Sequence, residues 1–566
     1  MFQESSSQTS LNEIRFCLSE KMSSRLQRTW ALTFRQKVLP LIDERLFADF
    51  YCPDNGRPNT SVRQLIGMLL LKDWWDLTDQ QALDGLAFDV RWQTALGVEM
   101  DEAWCCQKTL HNFRAHVLSH ARGQLLFTSL TDQLLRVLGI QTSQQRMDST
   151  HILSRMALLT RLQLLSETIR VVLRALEDEE PGLRALVSVA VRRRYLTETG
   201  KDTDYDDAPS REARRRLGVA ARDAWRVWDA LRGAAVSAAT AEQLALLDRL
   251  VQEQCVVTAT PTIPQADDAD VSEPPVAVVL KAAKQVAADT MQTPHDPDAT
   301  YGHKGKGYEV QITETCGNDD LPELITRIAV SQSSGSDQAQ TVPAVEELAE
   351  RGLQPEALTV DTGYGATDNV LACAALGTTV VSPVAGREMP VPPDDIAGVG
   401  SFHVQLLPDD PPSCCPQGVE AVIDTRQPNP TTGPTGVTHV TLKFSAIRCA
   451  TCQWQSQCLA FQKDPALPTY TTTEEEALLT RRRRLAATAD YKKRYAIRAG
   501  CEATNSELKR SHGLGRLRVR GAPRVELAVC LKGLACNVKR AVTYWTRQTN
   551  MAVAALTNVE NASAMA

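Results

Sequence analysis

The sequence predicts an α/β protein, in which a mixed sheet flanked by helices is preceded by an all-helical N-terminal domain and interrupted by a helical insertion and a cysteine-rich insertion. Three observations predict this fold class. Residues 28–138 show helical periodicity, residues 305–384 alternate between strand-like and helix-like segments, and three cysteines fall within residues 449–458. A chain of 566 residues is too long for one compact core, so about two to four structural units are expected.

Composition narrows the class of protein further. The hydrophobic content of 43% and charged content of 23% are typical of a globular protein, and no run is apolar enough to span a bilayer. The first residues lack a basic start followed by an apolar core, so a cytoplasmic protein is expected. Fifteen cysteines, mostly scattered, favour reduced thiols over a disulfide framework. The net charge of −6 argues against a uniformly basic, nucleic-acid-coating protein, although it does not exclude local basic patches.

The N-terminal domain is predicted over residues 1–140. The segments "VRQLIGMLLLKDWWDL" and "DQQALDGLAFDVRWQTAL" place apolar residues three and four apart, which indicates helices. The short alternating segment "RMDSTHIL" then predicts a strand that contains Asp148. Leu-, Ala- and Arg-rich helical patterns return from about residue 155, so a helical insertion is predicted over about 155–290. Within it, "TATPTIPQADDADVSEPP" predicts a linker or mobile loop.

The first part of the sheet domain is predicted over residues 141–384. "KGYEVQITET" and "LITRIAVSQ" predict strands, "DQAQTVPAVEELAERGL" a helix, "ALTVDTGYG" a strand and turn, "TDNVLACAAL" a helix and "TTVVSPV" a strand. Helices between strands imply parallel pairing, which brings functional groups to the carboxyl ends of the strands. Asp361 lies at such an end. The alternative to a functional role for Asp361 is that it is a helix N-cap or turn residue, and the alternative for Asp148 is that it is a strand-edge or turn carboxylate.

A cysteine-rich insertion is predicted over residues 385–470. Cys449, Cys452 and Cys458 have C-x2-C-x5-C spacing, which suits a tetrahedral Zn²⁺ with thiolate ligands at about 2.3 Å. Cys415 is the expected fourth ligand and Cys414 the second choice. A closed site of this kind is structural, because no position is left for water. Free or redox-active thiols are the alternative.

The C-terminal helices of the sheet domain are predicted over residues 471–545, followed by a disordered tail at 546–566. One helix is predicted to run from "EEEALL" to near Gly513, because this stretch contains no proline. The basic run "RRRR" within it fits a solvated face or a nucleic-acid contact equally well.

A stripe of functional residue types lies along this predicted helix. Tyr495, Arg498, Glu502 and Lys509 are separated by three, four and seven residues, so they share one face, whereas Glu507 points elsewhere. An i,i+4 ion pair between Arg498 and Glu502 is the plain alternative. At a surface it contributes only about 0.3–0.5 kcal/mol and leaves the tyrosine and the lysine unexplained.

The spacing Y-x2-R-x3-E-x6-K of this stripe resembles the signature of bacterial insertion-sequence transposases of the DDE class, and "HGLGRLRVRG" follows it as in many of them. The segments "RMDST" and "TVDTGYG" resemble the motifs that carry their two catalytic aspartates. The helical N-terminus is similar to their N-terminal domain, and "CPQG" with the cysteine cluster resembles an insertion found in some branches. The long helical stretch after Asp148 is a departure from the pattern.

The resemblance implies a ribonuclease H-like fold with Asp148 on the first strand, Asp361 after the fourth strand and Glu502 on a later helix. These carboxylates would hold two Mg²⁺ or Mn²⁺ ions about 3.5–4 Å apart for in-line phosphodiester displacement, with any Zn²⁺ separate and structural. Water would cut the ends of the element, and the exposed 3′-hydroxyl would attack target DNA. The DNA-binding residues expected on this basis are Tyr495, Arg498, Lys509, Arg516 and Arg518.

The expected partners are double-stranded DNA, as terminal inverted repeats and as target, and a second copy of the chain, because two DNA ends must be paired. Two other functions remain open from sequence. One is a catalytically inactive, transposase-derived DNA-binding protein, against which the presence of all three acids counts. The other is a ribonuclease H-like nuclease that cleaves without strand transfer.

Overall fold

The computed structural model describes residues 1–4, 17–52, 55–56, 58–258, 276–384, 402–406, 410–429 and 437–564. All but the first residue of the predicted linker "TATPTIPQADDADVSEPP" therefore lie outside the described residues. Within the described ranges, no helix is both long enough and apolar enough to cross a membrane.

The N-terminal part of the chain is helical, as the apolar spacing predicts. Helix starts are fixed locally, as at Thr78, whose side chain and that of Gln81 form a capping box. The helices are α1 Glu20–Gln27, α2 Trp30–Thr33, α3 Val62–Trp74, α4 Asp79–Phe88, α5 Val90–Leu96, α6 Gln107–Ser119 and α7 Gly123–Leu138.

Strand β1, Gln144–Ile152, follows and carries Asp148 as predicted. The chain then leaves the sheet for the helical insertion, whose apolar faces form a hydrophobic core of their own that includes Leu165, Val172 and Leu247. A two-stranded antiparallel hairpin closes it. The elements are α8 Arg161–Glu179, α9 Val189–Tyr195, α10 Ser210–Leu231, α11 Ala238–Gln254, β2 Cys255–Thr258 and β3 Ala277–Leu280.

The main sheet has six strands and is mixed. Strands β6, β5 and β1 pair antiparallel, and β1, β7 and β8 pair parallel, while the short β4 pairs with the start of β5. This arrangement confirms each strand and helix predicted for residues 305–384 and the parallel pairing of the later strands. The elements are β4 Thr300–Gly302, β5 Gly305–Thr315, β6 Ile325–Gln332, α12 Thr341–Glu350, β7 Ala357–Thr359, α13 Thr367–Ala375 and β8 Thr379–Val381.

The cysteine-rich region contains a three-stranded antiparallel sheet in the order β11-β10-β9. Phe402, Phe444 and Tyr470 pack together in its core, with the rings of Phe402 and Tyr470 stacked at a centroid distance of 4.1 Å. The elements are β9 Ile423–Asn429, β10 Val437–Lys443, α14 Ala446–Ala450, α15 Leu459–Lys463 and β11 Thr469–Thr473.

The single helix predicted from "EEEALL" to Gly513 is wrong, because the chain forms three helices there. Thr488 is extended and its side chain caps the second helix by accepting from the backbone N–H of Tyr491. At the next break, the N–H of Gly500 bonds to the carbonyl of Ile497, three residues back, although the backbone stays right-handed. The predicted end at Gly513 is confirmed by its φ of +64°. The helices are α16 Glu474–Ala487, α17 Ala489–Ala496 and α18 Ala499–Ser511.

The last helix is α19 Ala522–Ala564, and its buried residues lie between Val525 and Val542 in the part whose side chains the structure describes. It packs against α3, α7 and β6, and Gly533 lies so close to Ile328 and Phe127 that a Cβ would touch both side chains. One hydrophobic core therefore joins the N-terminal helices, α19 and the sheet. Residues 546–564, for which the sequence predicts a disordered tail, continue this helix, since alanine-rich sequence has high helix propensity.

Candidate active site

Asp148 and Asp361 lie side by side at one edge of the sheet. Strands β1 and β7 are parallel with Arg146 opposite Thr359. Asp148, which is still paired with β5, and Asp361, two residues after the end of β7, therefore lie at the same level of neighbouring chain segments. Asp361 also makes a turn contact, because the N–H of Thr362 donates to its Oδ1 at 2.7 Å. It is not the N-cap of α13, which is Ala366.

The guanidinium of Arg498 contacts all three of the predicted catalytic acids. Its Nη2 lies 3.3 Å from Asp148 Oδ1 and 3.6 Å from Asp361 Oδ2, and its Nη1 lies 3.8 Å from Glu502 Oε1. The i,i+4 contact between Arg498 and Glu502 therefore exists, but the same cation also reaches the other two carboxylates. The structure places Asp148, Asp361 and Glu502 around one point at the edge of the sheet.

The three carboxylates differ in environment. The side chain of Asp148 is only 16% exposed, whereas that of Glu502 is 75% exposed. Burial raises the pKa of Asp148, with the charges of Arg498 and Lys304 opposing the shift and that of Asp361 adding to it. Asn505 Nδ2 donates to Asp148 Oδ2 at 3.2 Å. Asn505 was not predicted as a site residue, although it lies three residues after Glu502 and so on the same side of α18.

The types of these side chains suit a divalent cation, although among the described residues the ligand atoms of the three acids do not all lie within 4.8 Å of one another. Three carboxylates offer the hard oxygen ligands that Mg²⁺ and Mn²⁺ prefer. In the described part of the chain, Asn505 Oδ1 is buried without a hydrogen-bond partner, beside Asp148. An uncompensated buried oxygen next to a cluster of carboxylates is the kind of position where a bound cation or its water would be stabilised. Asp148, Asp361 and Glu502 are therefore the residues that could hold metal.

Glu507 lies on the opposite side of α18, as the helical spacing predicts. Its Oε1 accepts from Lys539 Nζ at 2.8 Å and its Oε2 from Arg540 Nε at 3.0 Å, so both oxygens bind cations of α19. Burial alone would raise the pKa of Glu507, but the hydrogen bonds and charges of Lys539 and Arg540 outweigh it and lower the pKa. Glu507 thus joins two helices, while Glu502 faces the aspartates.

Glu507, His512 and Cys536 form a second cluster, whose ligand atoms lie within 4.8 Å of one another. His512 and Cys536 are buried and Glu507 is half-buried. Burial lowers the pKa of His512 to about 4, so its imidazole is neutral. A divalent ion there would have to compete with Lys539 and Arg540 for the carboxylate of Glu507. The cluster is better explained as part of the contact between α18 and α19.

The five predicted DNA-binding residues do not share one environment. Tyr495 lies in the last turn of α17, near the charges of Asp361 and Asp148, and Lys509 is exposed on α18. Arg516 donates to the carbonyl of Met156 at 3.3 Å. Arg518 donates to Asp76 Oδ1 at 2.7 Å, which links the segment after α18 to the N-terminal helices.

Four of the five cysteines considered for zinc line one cavity of about 30 Å³ together with aromatic side chains; they are Cys415, Cys449, Cys452 and Cys458. Cys414 is not among the described lining residues. Burial raises the pKa of Cys449, and the neighbouring thiols add to the shift. In the described part of the chain, no three of these sulfurs lie within 4.8 Å of one another. The cavity therefore brings the predicted ligands near one another, but the sulfurs are too far apart for tetrahedral coordination of one ion.

Two family models of known proteins match parts of the chain. A family model described as "Transposase DDE domain" matches residues 414–542, and one described as "Transposase domain (DUF772)" matches residues 24–116. None of the curated proteins and none of the solved structures matches the chain.

The two family matches confirm the resemblance to insertion-sequence transposases of the DDE class, and they support an enzyme that acts on DNA. A DDE domain implies a ribonuclease H-like fold and the use of divalent metal ions, and the mixed sheet flanked by helices agrees with that fold. The first match includes Glu502 and the cysteine cluster, whereas Asp148 and Asp361 lie outside both matched ranges.

Proposed function

We propose that the chain is a DDE transposase that cleaves DNA at the ends of a transposon and transfers the resulting 3′-hydroxyl into target DNA. The observation that carries this proposal is the contact of one guanidinium, that of Arg498, with Asp148, Asp361 and Glu502. These acids come from a strand, a strand end and a helix that are far apart in sequence. A surface ion pair would need only one of them.

Asp148, Asp361 and Glu502 hold two Mg²⁺ or Mn²⁺ ions in this proposal. When bound, such ions activate the attacking oxygen and stabilise the leaving oxygen of a phosphodiester displacement. The exposed Glu502 can adjust its side chain, whereas Asp148 is fixed by Asn505 and by its place in β1. In this proposal the buried Asp148 provides a fixed metal ligand, and the exposed Glu502 moves to provide a further one.

The cations next to the triad hold the DNA strand. Arg498 and Lys509 bind phosphates near the scissile bond, and Tyr495 helps to place the strand, because phosphate contacts fix the register of a protein on DNA. Arg516 and Arg518 extend this surface with the parts of their side chains that remain exposed beyond their protein contacts. The protein would act on terminal repeats and target DNA as a homodimer, in the cytoplasm at the bacterial nucleoid.

The cysteine-lined cavity holds a structural Zn²⁺ in this proposal. Its ligands are Cys449, Cys452, Cys458 and Cys415, since Cys415 rather than Cys414 lines the cavity. The four sulfurs must approach one another to reach zinc, and a closed site of four thiolates stabilises a fold rather than performing chemistry.

Substitution of Glu502 by glutamine tests the function. The purified protein is incubated with Mg²⁺ and a plasmid that carries the gene with its flanking DNA, and cleaved and joined products are measured. Glu502→Gln should abolish both products and leave DNA binding intact, because the amide keeps size but loses the charge that holds metal. Asp490→Asn is the matched control, since Asp490 is an exposed carboxylate on α17 away from the triad.

Three results would contradict the proposal. Mg²⁺-dependent cleavage by Glu502→Gln would remove the glutamate from the site. Cleavage without joining by the unaltered protein would favour a nuclease. Absence of cleavage by the unaltered protein, with DNA binding retained, would favour an inactive derivative.

A further inference from the structure

Strands β4 and β5 form a hairpin that the residues predicted for the site do not include. Gly302 pairs with Gly305, so the turn consists of His303 and Lys304. The side chains of both turn residues and of the neighbouring Tyr301 are exposed. An aromatic residue, an imidazole and a lysine thus project from one tight turn.

The base of this hairpin is fixed over the end of β1. Gly302 lies against the backbone carbonyl of Ser333, so that no Cβ could fit there. Gly307, with a φ of +138°, lies in the same way against the carbonyl of Ile152. The imidazole Nε2 of His151 hydrogen-bonds the carbonyl of Lys306 at 2.9 Å. The turn is therefore presented in a defined position.

Lys304 reaches from this turn to the candidate active site. Its Nζ donates to Ser149 Oγ at 2.7 Å, and Ser149 is the residue after Asp148. It also lies 3.7 Å from a carboxylate oxygen of Glu309. The charge of Lys304 opposes the upward shift in the pKa of Asp148 and contributes, after burial, to the lowered pKa of Lys509. Lys304 of the hairpin thus contacts the residue next to Asp148, and it lies near Lys509 of α18.

A purely structural role as counter-ion of Glu309 does not account for the exposure of Lys304. In the other described ion pairs with a buried carboxylate the cation is less exposed than Lys304, as with Arg146 at 5% beside Glu314 and Arg63 at 24% beside Glu44. The side chain of Lys304 remains 40% exposed at the tip of a turn. Its ammonium has three N–H donors, so contacts with Ser149 and Glu309 leave capacity for a further acceptor.

We propose that the β4–β5 hairpin is a DNA-backbone site in which Lys304 binds a phosphate of the strand that crosses Asp148, while Lys509 binds the same strand from α18. The inference rests on the proposed function, since it assumes that the strand to be cut lies at the triad. Phosphate recognition by lysine does not depend on base sequence, so DNA of any sequence occupies the site.

The salt dependence of DNA binding tests this site. Affinity of the full-length protein for a fluorescently labelled duplex of arbitrary sequence is measured over a range of salt concentrations, with EDTA present so that no cleavage occurs. Each lost phosphate contact should make the slope of log K against log salt concentration shallower by about 0.9. We expect this change for Lys304→Gln and for Lys509→Ala.

Two variants control the measurement. Lys304→Arg keeps the positive charge and should restore the original slope, and Lys284→Ala removes an exposed lysine elsewhere and should not change it. Lys304→Gln can still hydrogen-bond Ser149, so the hairpin should keep its fold, which circular dichroism checks.

An unchanged slope for Lys304→Gln, or a shallower slope that Lys304→Arg does not restore, would overturn the hairpin site. Failure of the parent protein to bind DNA would overturn it as well. The cleavage assay with Glu502→Gln remains a separate test, because a shallower slope without any cleavage would retain the hairpin site and reject the transposase chemistry.

Discussion

Glu507→Gln is expected to lower the free energy of unfolding by about 2 kcal/mol, whereas Glu502→Gln should leave it nearly unchanged. Hydrogen bonds to charged groups contribute about 1.5–3 kcal/mol each, and Glu507 makes two, to Lys539 and Arg540. Its side chain is 25% exposed and glutamine keeps part of the hydrogen bonding, so the expected loss is about that of one bond. Glu502 makes one exposed contact at 3.8 Å.

Urea unfolding of the two variants, followed by circular dichroism, measures this difference, and the cleavage assay supplies the second readout. Glu507→Gln should be less stable but should still cleave while folded. Glu502→Gln should be as stable as the parent but inactive. The two changes are chemically identical and lie five residues apart on one helix, so each serves as the control for the other.

The pH dependence of the Glu507→Gln effect has a defined sign. The pKa of Glu507 is lowered in the folded protein, so its stabilising contribution is complete above the pKa of an unfolded glutamate, about 4.3, and is lost as pH falls through the folded value. The stability difference between parent and variant should therefore shrink below about pH 4. Loss of cleavage in folded Glu507→Gln, with activity retained in Glu502→Gln, would refute the assignment of the two glutamates.

Two further predictions concern Asp148 and the cysteines. Burial raises the pKa of Asp148, so its negative charge lowers the stability of the metal-free protein at neutral pH. Asp148→Asn should therefore abolish cleavage but raise the free energy of unfolding at neutral pH. The gain in stability should disappear in acid, which urea unfolding at two pH values would measure. Cys452→Ser should reduce the zinc content from about one ion per chain to near none, whereas Cys414→Ser should retain it; metal analysis giving the reverse for Cys414 would change the ligand set.

The acidic residues of the candidate site each have a local sequence signal, but the resemblance to DDE transposases was needed to select Asp148, Asp361 and Glu502 as one set. Asp148 lies in a short alternating strand, and Asp361 follows another strand at its carboxyl end, where parallel pairing brings the two together. Helical spacing correctly predicted that Glu502 and Glu507 point to different sides of the helix, even though the predicted single helix from "EEEALL" to Gly513 was wrong. The spacing of these two glutamates is still helical because residues 499–511 form one helix.

Other features have no clear local signal, and most of them depend on contacts between distant segments. The helix break at Thr488 depends on a capping residue, and threonine is also common within helices. The approach of Lys304 to Ser149 requires a hairpin to fold over the end of β1. The packing of α19 depends on a hydrophobic core that it shares with the N-terminal helices.

The position of bound Mn²⁺ tests the central claim most directly, since Mn²⁺ replaces Mg²⁺ at oxygen-ligand sites and scatters X-rays anomalously. Crystals of the full-length protein grown with Mn²⁺ should show an anomalous peak between the carboxylates of Asp148, Asp361 and Glu502, and the peak should weaken or vanish in Glu502→Gln. An anomalous peak only at Glu507, His512 and Cys536, or none near the two aspartates, would contradict the account.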